Sequence, residues 1–373
     1  MSLSASERAR YHRHLALEEI GAAGQERLKA ARVLIVGTGG LGSPAALYLA
    51  AAGCGTLGLL DFDRVDLSNL QRQVLFDSTD VARPKAEAAR ERLAGLNPEI
   101  RINVHAVELK AANVRAVLAD YDIVIDGTDR LSTRYLVNDA CVLFGKALVS
   151  AAIHRFEGQL MTYVPNQGPC YRCLFPEGRD GVVANCAQAG VLGVLPGVLG
   201  TLQATEAIKL ITGVGVPLIG RLLTYDALDM RFQEFRVNRR SDCAVCGDAP
   251  SISVPRDEEP ARASAAAGGV RRLSARDLNE LLQTRSAFLV DVREPYEFDA
   301  GHLPGSHHIP LGELPRRLAE IPEDAAPVFI CRSGGRSLAA CSMALQAGIP
   351  SPANLEGGLQ AWAREVDPTL EVA

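Results

Sequence analysis

The chain is predicted to fold as α/β: a doubly wound, mainly parallel sheet with antiparallel strands late in the order, followed by a smaller α/β domain. Three observations predict this. Apolar runs of strand length alternate with stretches of helical periodicity. A glycine-rich turn, "VLIVGTGGLG" (33–42), joins the first strand to the first helix. A stretch rich in Pro, Ala, Ser, Gly and charge, residues 249–269, breaks the alternation and reads as a flexible linker. It leaves about 250 residues before it and about 100 after, both ordinary domain sizes. The expected domains are therefore 1–248 and 270–373.

The elements follow in order. "RVLIVG" (32–37), "GTLGLLD" (55–61), "RINVHAV" (101–107), "YDIVIDGTD" (121–129) and "ALVSAAI" (147–153) read as buried strands. Between them, 41–53, 83–96 and 132–145 read as helices. "GQLMTYV" (158–164), "LLTYDA" (222–227) and "RFQEFRV" (231–237) are the later strands. The longest apolar run, "AGVLGVLPGVLGTL" (189–202), is too short and too rich in glycine to span a bilayer, which needs roughly 20 apolar residues. It reads as a buried helix interrupted by Pro196. After the linker, "AFLVDVRE" (287–294) and "PVFICR" (327–332) read as strands, and "SLAACSMALQAG" (337–348) as a helix.

Bulk properties narrow the function. The 373 residues are 47% hydrophobic and 22% charged, as expected of a globular protein with a sizeable core. A formal net charge of −5 gives no electrostatic case for nucleic acid or an anionic membrane surface. "MSLSASERARYHRH" has no apolar leader core, so a cytoplasmic location is expected. In that compartment nine cysteines point to metal binding or chemistry more than to structural disulfides.

Gly37, Gly39 and Gly42 fit G-x-G-x-x-G between a strand and a helix, which lets the backbone approach phosphates at a helix N-terminus. Asp61 ends the next strand, where an acid commonly holds a ribose hydroxyl. A dinucleotide site would need no more. Arg72 and Gln73, in "DFDRVDLSNLQRQ", and Lys85, in "RPK", add cations near the strand ends. Arg and Lys clamps suit a triphosphate that reacts. Asp129 closes the fourth strand and suits Mg²⁺, which takes one or two carboxylates and keeps several waters.

"RYHRH", "GTGGLGSP", "LLDFDRVDLSNLQRQ", "RPKAEAA" and "IDGTD" resemble the MoeB/ThiF family of adenylating enzymes, over roughly residues 8–248. The resemblance implies that ATP-Mg²⁺ adenylates the C-terminal glycine of a small ubiquitin-fold carrier ending in Gly-Gly. By position, Gly40, Asp61, Ser68, Asn69, Arg72, Lys85 and Asp129 would line the ATP site, with Asp61 on the ribose, Arg72 and Lys85 on the phosphates and Asp129 on the metal. Arg13 would reach the phosphates from the partner subunit, which implies a homodimer. Arg130 also falls at the nucleotide, where the family often carries asparagine.

Two C-x-x-C pairs, Cys170 with Cys173 and Cys243 with Cys246, offer four thiolates of the kind structural Zn²⁺ prefers. Their separation exceeds a zinc-ribbon loop, so redox dithiols are the alternative from spacing alone. The resemblance implies a structural zinc. It also implies that the loop with Cys186, "VVANCAQAGVLG", crosses the adenylate site and bears a conjugating or resolving cysteine.

"CRSGGRS" sets Cys331 between a strand and a helix. Loop amides, the helix N-terminus and Arg336 would favour an anion at its sulfur, thiolate or persulfide. Phosphatase loops have five residues between Cys and Arg, and here there are four. The tighter loop, "LVDVREPYEFDAGHLPGSHHIP" and "LEGGLQAW" resemble rhodanese sulfurtransferases over roughly 270–365. His302, His307 and His308 look like the rhodanese turn rather than metal ligands.

Together the two resemblances imply a fused protein of the molybdopterin-synthase sulfurylase type. A Cys331 persulfide, charged by a persulfide or thiosulfate donor, would displace AMP from the acyl adenylate. Cys186 would then resolve the acyl disulfide and release a thiocarboxylate. Two other readings stand beside it. One is an NAD(P)-dependent oxidoreductase with an appended sulfurtransferase. The other is a non-catalytic scaffold for ubiquitin-like proteins.

Overall fold

The computed structural model describes residues 2–176, 190–257, 270–283, 287–322 and 325–372. They form two compact units, divided between residues 257 and 270.

The first unit is built on one eight-stranded sheet. Five strands are parallel: β1 (Arg32–Val36), β2 (Thr56–Leu60), β3 (Arg101–His105), β4 (Ile123–Asp126) and β5 (Ala147–His154). Then β6 (Glu157–Tyr163), β7 (Arg221–Asp226) and β8 (Arg231–Arg236) continue antiparallel. The order is β3-β2-β1-β4-β5-β6-β7-β8. The chain winds outward from β1 in one direction and then returns to lay β4 on its other side. That reversal opens a crevice beyond the carboxyl ends of β1 and β4, where ligands of such sheets bind.

Side-chain alternation explains why the central strands are apolar throughout. On β1, Val33 and Ile35 face one way, against Leu49 of the helix Gly42–Ala52 and Leu199 of the helix Leu195–Thr212. Leu34 and Val36 face the other, against Leu136 and Val137 of the helix Leu131–Leu143. All four β1 residues are buried, so either face would have to desolvate any polar substitution.

The apolar run expected to be helical over 189–202 needs correction. Residue 189 lies outside the described residues, and from 190 onward the helix begins at Leu195 and continues to Thr212. Pro196 stands in its first turn, where the missing N–H has no partner to lose, so it starts the helix instead of interrupting it. Gly213, at φ 74°, ends it. Among the described residues no helix is long and apolar enough to cross a membrane.

The second unit has a five-stranded, all-parallel sheet of β9 (Arg271–Leu273), β10 (Phe288–Asp291), β11 (His307–His308), β12 (Pro327–Ile330) and β13 (Ala353–Leu355), ordered β11-β10-β12-β13-β9. The two central strands are those the sequence foretold; the other three are too short to show a period. Leu289, Val328, Ile330 and Trp362 fill one side, and Val290, Phe329, Cys341 and Ala344 the other. The helix after β12 runs Gly335–Gln346.

Candidate nucleotide site, thiolate cluster and sulfur loop

The turn after β1 is tight because three glycines touch. A Cβ on Gly42 would lie 1.8 Å from the carbonyl oxygen of Gly37, and one on Gly37, already at φ 86°, would lie 2.9 Å from that of Gly127. Only glycine fits there. The turn brings the end of β1 against the end of β4 and leaves the helix Gly42–Ala52 starting at the crevice. Gly40 sits against Pro196 and Arg72, which closes one wall.

Asp61, just past β2, is buried. Its Oδ2 accepts from the amide and the hydroxyl of Thr38, both at 2.9 Å, and its Oδ1 accepts from the amide of Asp63 at 2.9 Å. A carboxylate offers about four acceptor positions, so Oδ1 retains one. Lys85 opens the helix Lys85–Leu96 and is buried. Its Nζ lies 3.6 Å from Asp63, its one ion-pair partner among the described residues. A buried ammonium held that loosely fits an anion. Asp66 caps the short turn Leu67–Asn69, accepting from the amide and hydroxyl of Ser68, and Asn69 caps it in return. Arg72 donates to the Ser68 carbonyl at 3.0 Å. Ser68, Asn69, Arg72 and Gly40 thus belong to one wall.

Asp129 is exposed beyond β4, with no hydrogen bond or ion pair among the described residues. Arg130 is exposed beside it, 3.4 Å from Glu108 and over the Phe62 ring at 5.2 Å. Arg13 is exposed on the four-residue helix His12–Leu15 and is not brought to this crevice by any contact within the chain's described residues. Its neighbours Tyr11 and His14 are anchored, to Asn97 at 2.8 Å and to Gln25 at 3.0 Å.

A support beneath the crevice has no counterpart in the sequence reading. Asp126, fully buried at the end of β4, accepts from the amide (3.0 Å) and hydroxyl (2.7 Å) of Thr128 and from Ser150 (2.8 Å), and pairs with Arg134 at 3.2 Å. Gln203 donates to the carbonyls of Asp126 and Val149. These bonds fix the loop that carries Asp129. Asp126 stands in the same "IDGTD" as Asp129, so an acid at a strand end was the available signal.

The four paired cysteines converge. One sulfur from each lies within 4.8 Å of the others, with contacts across the pairs: Cys170 to Cys243 at 3.6 Å and Cys173 to Cys246 at 3.3 Å. Two separate dithiols would not bring all four sulfurs together. A four-sulfur set with three members buried and Cys246 half-buried is a ligand sphere for a soft tetrahedral cation, and Zn²⁺ fits it. The histidines form no such set: His307 bonds Glu320, His308 bonds the Arg293 carbonyl, and His302 and His308 stack on Phe298.

In the second unit Cys331 follows β12 and is buried. Its sulfur accepts from the amides of Gly334 (3.2 Å) and Ser337 (3.4 Å), and the Ser337 hydroxyl lies 3.2 Å away. Gly334 turns the loop back at φ 94°. Donors aimed at one atom favour negative charge there. Arg336 is not among them. It is forked onto Glu297, at 2.5 and 2.7 Å. Burial pushes the Glu297 carboxyl up, but the Arg336 hydrogen bonds and charge outweigh it and hold the group below its ordinary value. Glu297 and Ser337 were missed in the sequence; "REPYEF" showed only acids in a short helix. Cys186 lies outside the described residues.

Known proteins share both regions. Residues 11–245 match the ThiF family and 274–365 the rhodanese-like domain. A probable adenylyltransferase/sulfurtransferase, MoeZ, of Mycobacterium tuberculosis (strain CDC 1551 / Oshkosh) is 43% identical across 99% of this chain and 96% of its own. The adenylyltransferase and sulfurtransferase MOCS3 of Aedes aegypti is 41% identical across 99% of this chain and 90% of its own. A crystal structure of E. coli MccB with ATP superposes at a TM-score of 0.56 and 25% identity, covering 65% of this chain and 75% of that one. The expected fold class, with its parallel sheet and late antiparallel strands, is the one observed. The chain belongs to the ThiF family, carries a rhodanese-like domain behind it, and is by that membership an adenylyltransferase joined to a sulfurtransferase.

Proposed function

We propose that residues 1–248 adenylate the C-terminal glycine of a small ubiquitin-fold sulfur carrier and that residues 270–373 supply the sulfur that turns it into a thiocarboxylate. The tether between them starts only after Asp257, because Ile252 is buried in the first unit's core and Asp257 accepts from the Ala111 amide. The observation that carries this reading is the Cys331 sulfur. Its direct hydrogen-bond donors among the described residues are the Gly334 and Ser337 amides and the Ser337 hydroxyl, in a chain whose other unit has a glycine turn at a nucleotide crevice. An oxidoreductase reading accounts for neither the loosely held Lys85 nor Arg72 in the wall beside Gly40.

Asp61 Oδ1 keeps one acceptor position for a ribose hydroxyl, and Gly40, Ser68, Asn69 and Arg130 line the nucleotide. Lys85 and Arg72 hold phosphate oxygens, joined by Arg13 of a second copy in a homodimer. Asp129, exposed and unpaired among the described residues, fits Mg²⁺, which would neutralise charge developing on the phosphates. Zn²⁺ on Cys170, Cys173, Cys243 and Cys246 would tie two distant segments together, with no part in the reaction.

The carrier carboxylate attacks ATP and releases pyrophosphate, leaving an acyl adenylate. The outer sulfur of a Cys331 persulfide attacks the acyl carbon and AMP leaves, giving an acyl disulfide. Cys186 thiolate then attacks the inner Cys331 sulfur. The carrier departs as thiocarboxylate and a Cys186–Cys331 disulfide remains for an external dithiol to reduce. We place these steps in the cytoplasm, where thiols stay reduced.

The test is ATP–pyrophosphate exchange against a panel of small proteins ending in Gly-Gly, followed by the mass of the carrier. Exchange that depends on one carrier, with an oxygen-to-sulfur swap in its mass, is the expected result. Hydride transfer to a nicotinamide, or binding without exchange, would replace this reading.

A further inference from the structure

The buried charges beside Cys331 balance one another. Arg336, expected at the sulfur, gives both terminal nitrogens to Glu297, and both side chains are less than a tenth exposed. Arg293, fully buried, is likewise matched by Asp291, with nitrogen–oxygen distances of 2.8 to 3.1 Å. The remaining cation in the loop, Arg332, is exposed, so solvent screens it. The direct donors to the sulfur are neutral, the Gly334 and Ser337 amides and the Ser337 hydroxyl, and the Arg336 charge reaches it only through space, offset by Glu297.

Two donor classes would meet this loop differently. Thiosulfate brings two negative charges, transfers its outer sulfur to Cys331 thiolate, and leaves as sulfite. A hydropersulfide passes its terminal sulfur to the same thiolate and leaves as a thiolate. In both, one sulfur–sulfur bond forms and one breaks with no net change in electron count. Only the first needs net positive charge beside the cysteine, both to bind the dianion and to hold the departing sulfite.

We propose that Glu297 is a specificity-determining residue: by holding Arg336 in a closed ion pair it withholds that cation from the sulfur loop and disfavours oxyanion donors relative to hydropersulfides. Glu297 acts through Arg336 and touches no substrate. The inference deepens the reading of Cys331 as a persulfide carrier and rests on it.

The test loads the full chain under pseudo-first-order conditions with thiosulfate or with glutathione hydropersulfide, and follows the Cys331 peptide by mass. In the native protein, hydropersulfide loading is expected to exceed thiosulfate loading at least tenfold. In Glu297→Gln, the ratio of thiosulfate to hydropersulfide loading is expected to rise at least tenfold, through a lower KM for thiosulfate. In the double variant Glu297→Gln/Arg336→Gln that gain should vanish, which a merely structural role for Glu297 would not produce. Equal loading of the native protein by both donors would overturn the inference, and that measurement needs no variant to fold. A Glu297→Gln ratio equal to the native one would overturn it too. Absence of any added sulfur on Cys331 from either donor would instead bring down the persulfide reading itself.

Discussion

The two loops that follow strands β1 and β12 begin alike and end differently. Each leaves a parallel strand, turns on a glycine at positive φ and enters a helix. The first turn draws three glycines into contact and then opens. The groups around it come from Asp61, Ser68 to Arg72, Lys85 and the loop after β4, spread over nearly seventy residues of chain. The second closes on a single sulfur within seven residues, Cys331 to Ser337. A nucleotide needs many partners set at a distance, whereas one sulfur atom needs a few amides close by. Size of the ligand, more than chemistry, decides how local a site is.

That contrast can be broken most sharply at the sulfur. Cys331→Ser should lower thiocarboxylate formation by about three orders of magnitude, since a hydroxyl carries no sulfane sulfur. Carrier-dependent pyrophosphate exchange should be unchanged, and joint loss of both activities would mean the two loops are not separable. Lys85→Ala gives the reverse. Exchange should fall roughly 10²- to 10³-fold, as for loss of one group that stabilises developing charge, while sulfur loading of Cys331 stays as it was.

Locality also sets what was legible in the sequence. The sulfur loop could be read from "CRSGGRS" because its donors are its own amides. Its ion pair could not, because Glu297 approaches Arg336 from a helix 39 residues earlier in the chain. In the first unit the strands, the glycine turn, Asp61 and Lys85 were readable from apolar runs and their ends. Asp126 was not, since its partners Ser150 and Arg134 come from a neighbouring strand and a following helix. The place of Pro196 is hidden in the sequence for a related reason. A proline in an apolar run looks like a break until the start of the helix is known.

Smaller effects sharpen the comparison. Chelation of the metal expected on Cys170, Cys173, Cys243 and Cys246 should lower the thermal midpoint of the first unit by several degrees and leave that of the second in place. Calorimetry of the full chain with and without chelator reads this; a shift of both transitions would show the metal supporting more than one unit. Acid gives the smallest effect, on the second unit. The Glu297 carboxyl is held below its ordinary value of 4.5, so its contribution to stability is present above that pH and is lost as pH falls through its folded value. Acid titration of the native protein should show this loss, and Glu297→Gln should flatten it. An unchanged slope in the variant would mean that the Arg336 pair does not hold the charge.

The most direct test of sulfur delivery is a single turnover with labelled sulfur placed on Cys331 as a persulfide, then mixed with ATP and the carrier. The label is predicted to leave Cys331 and appear in the carrier's thiocarboxylate, only when ATP is present. Unlabelled thiocarboxylate, or label that stays on Cys331 while product accumulates, would contradict the account.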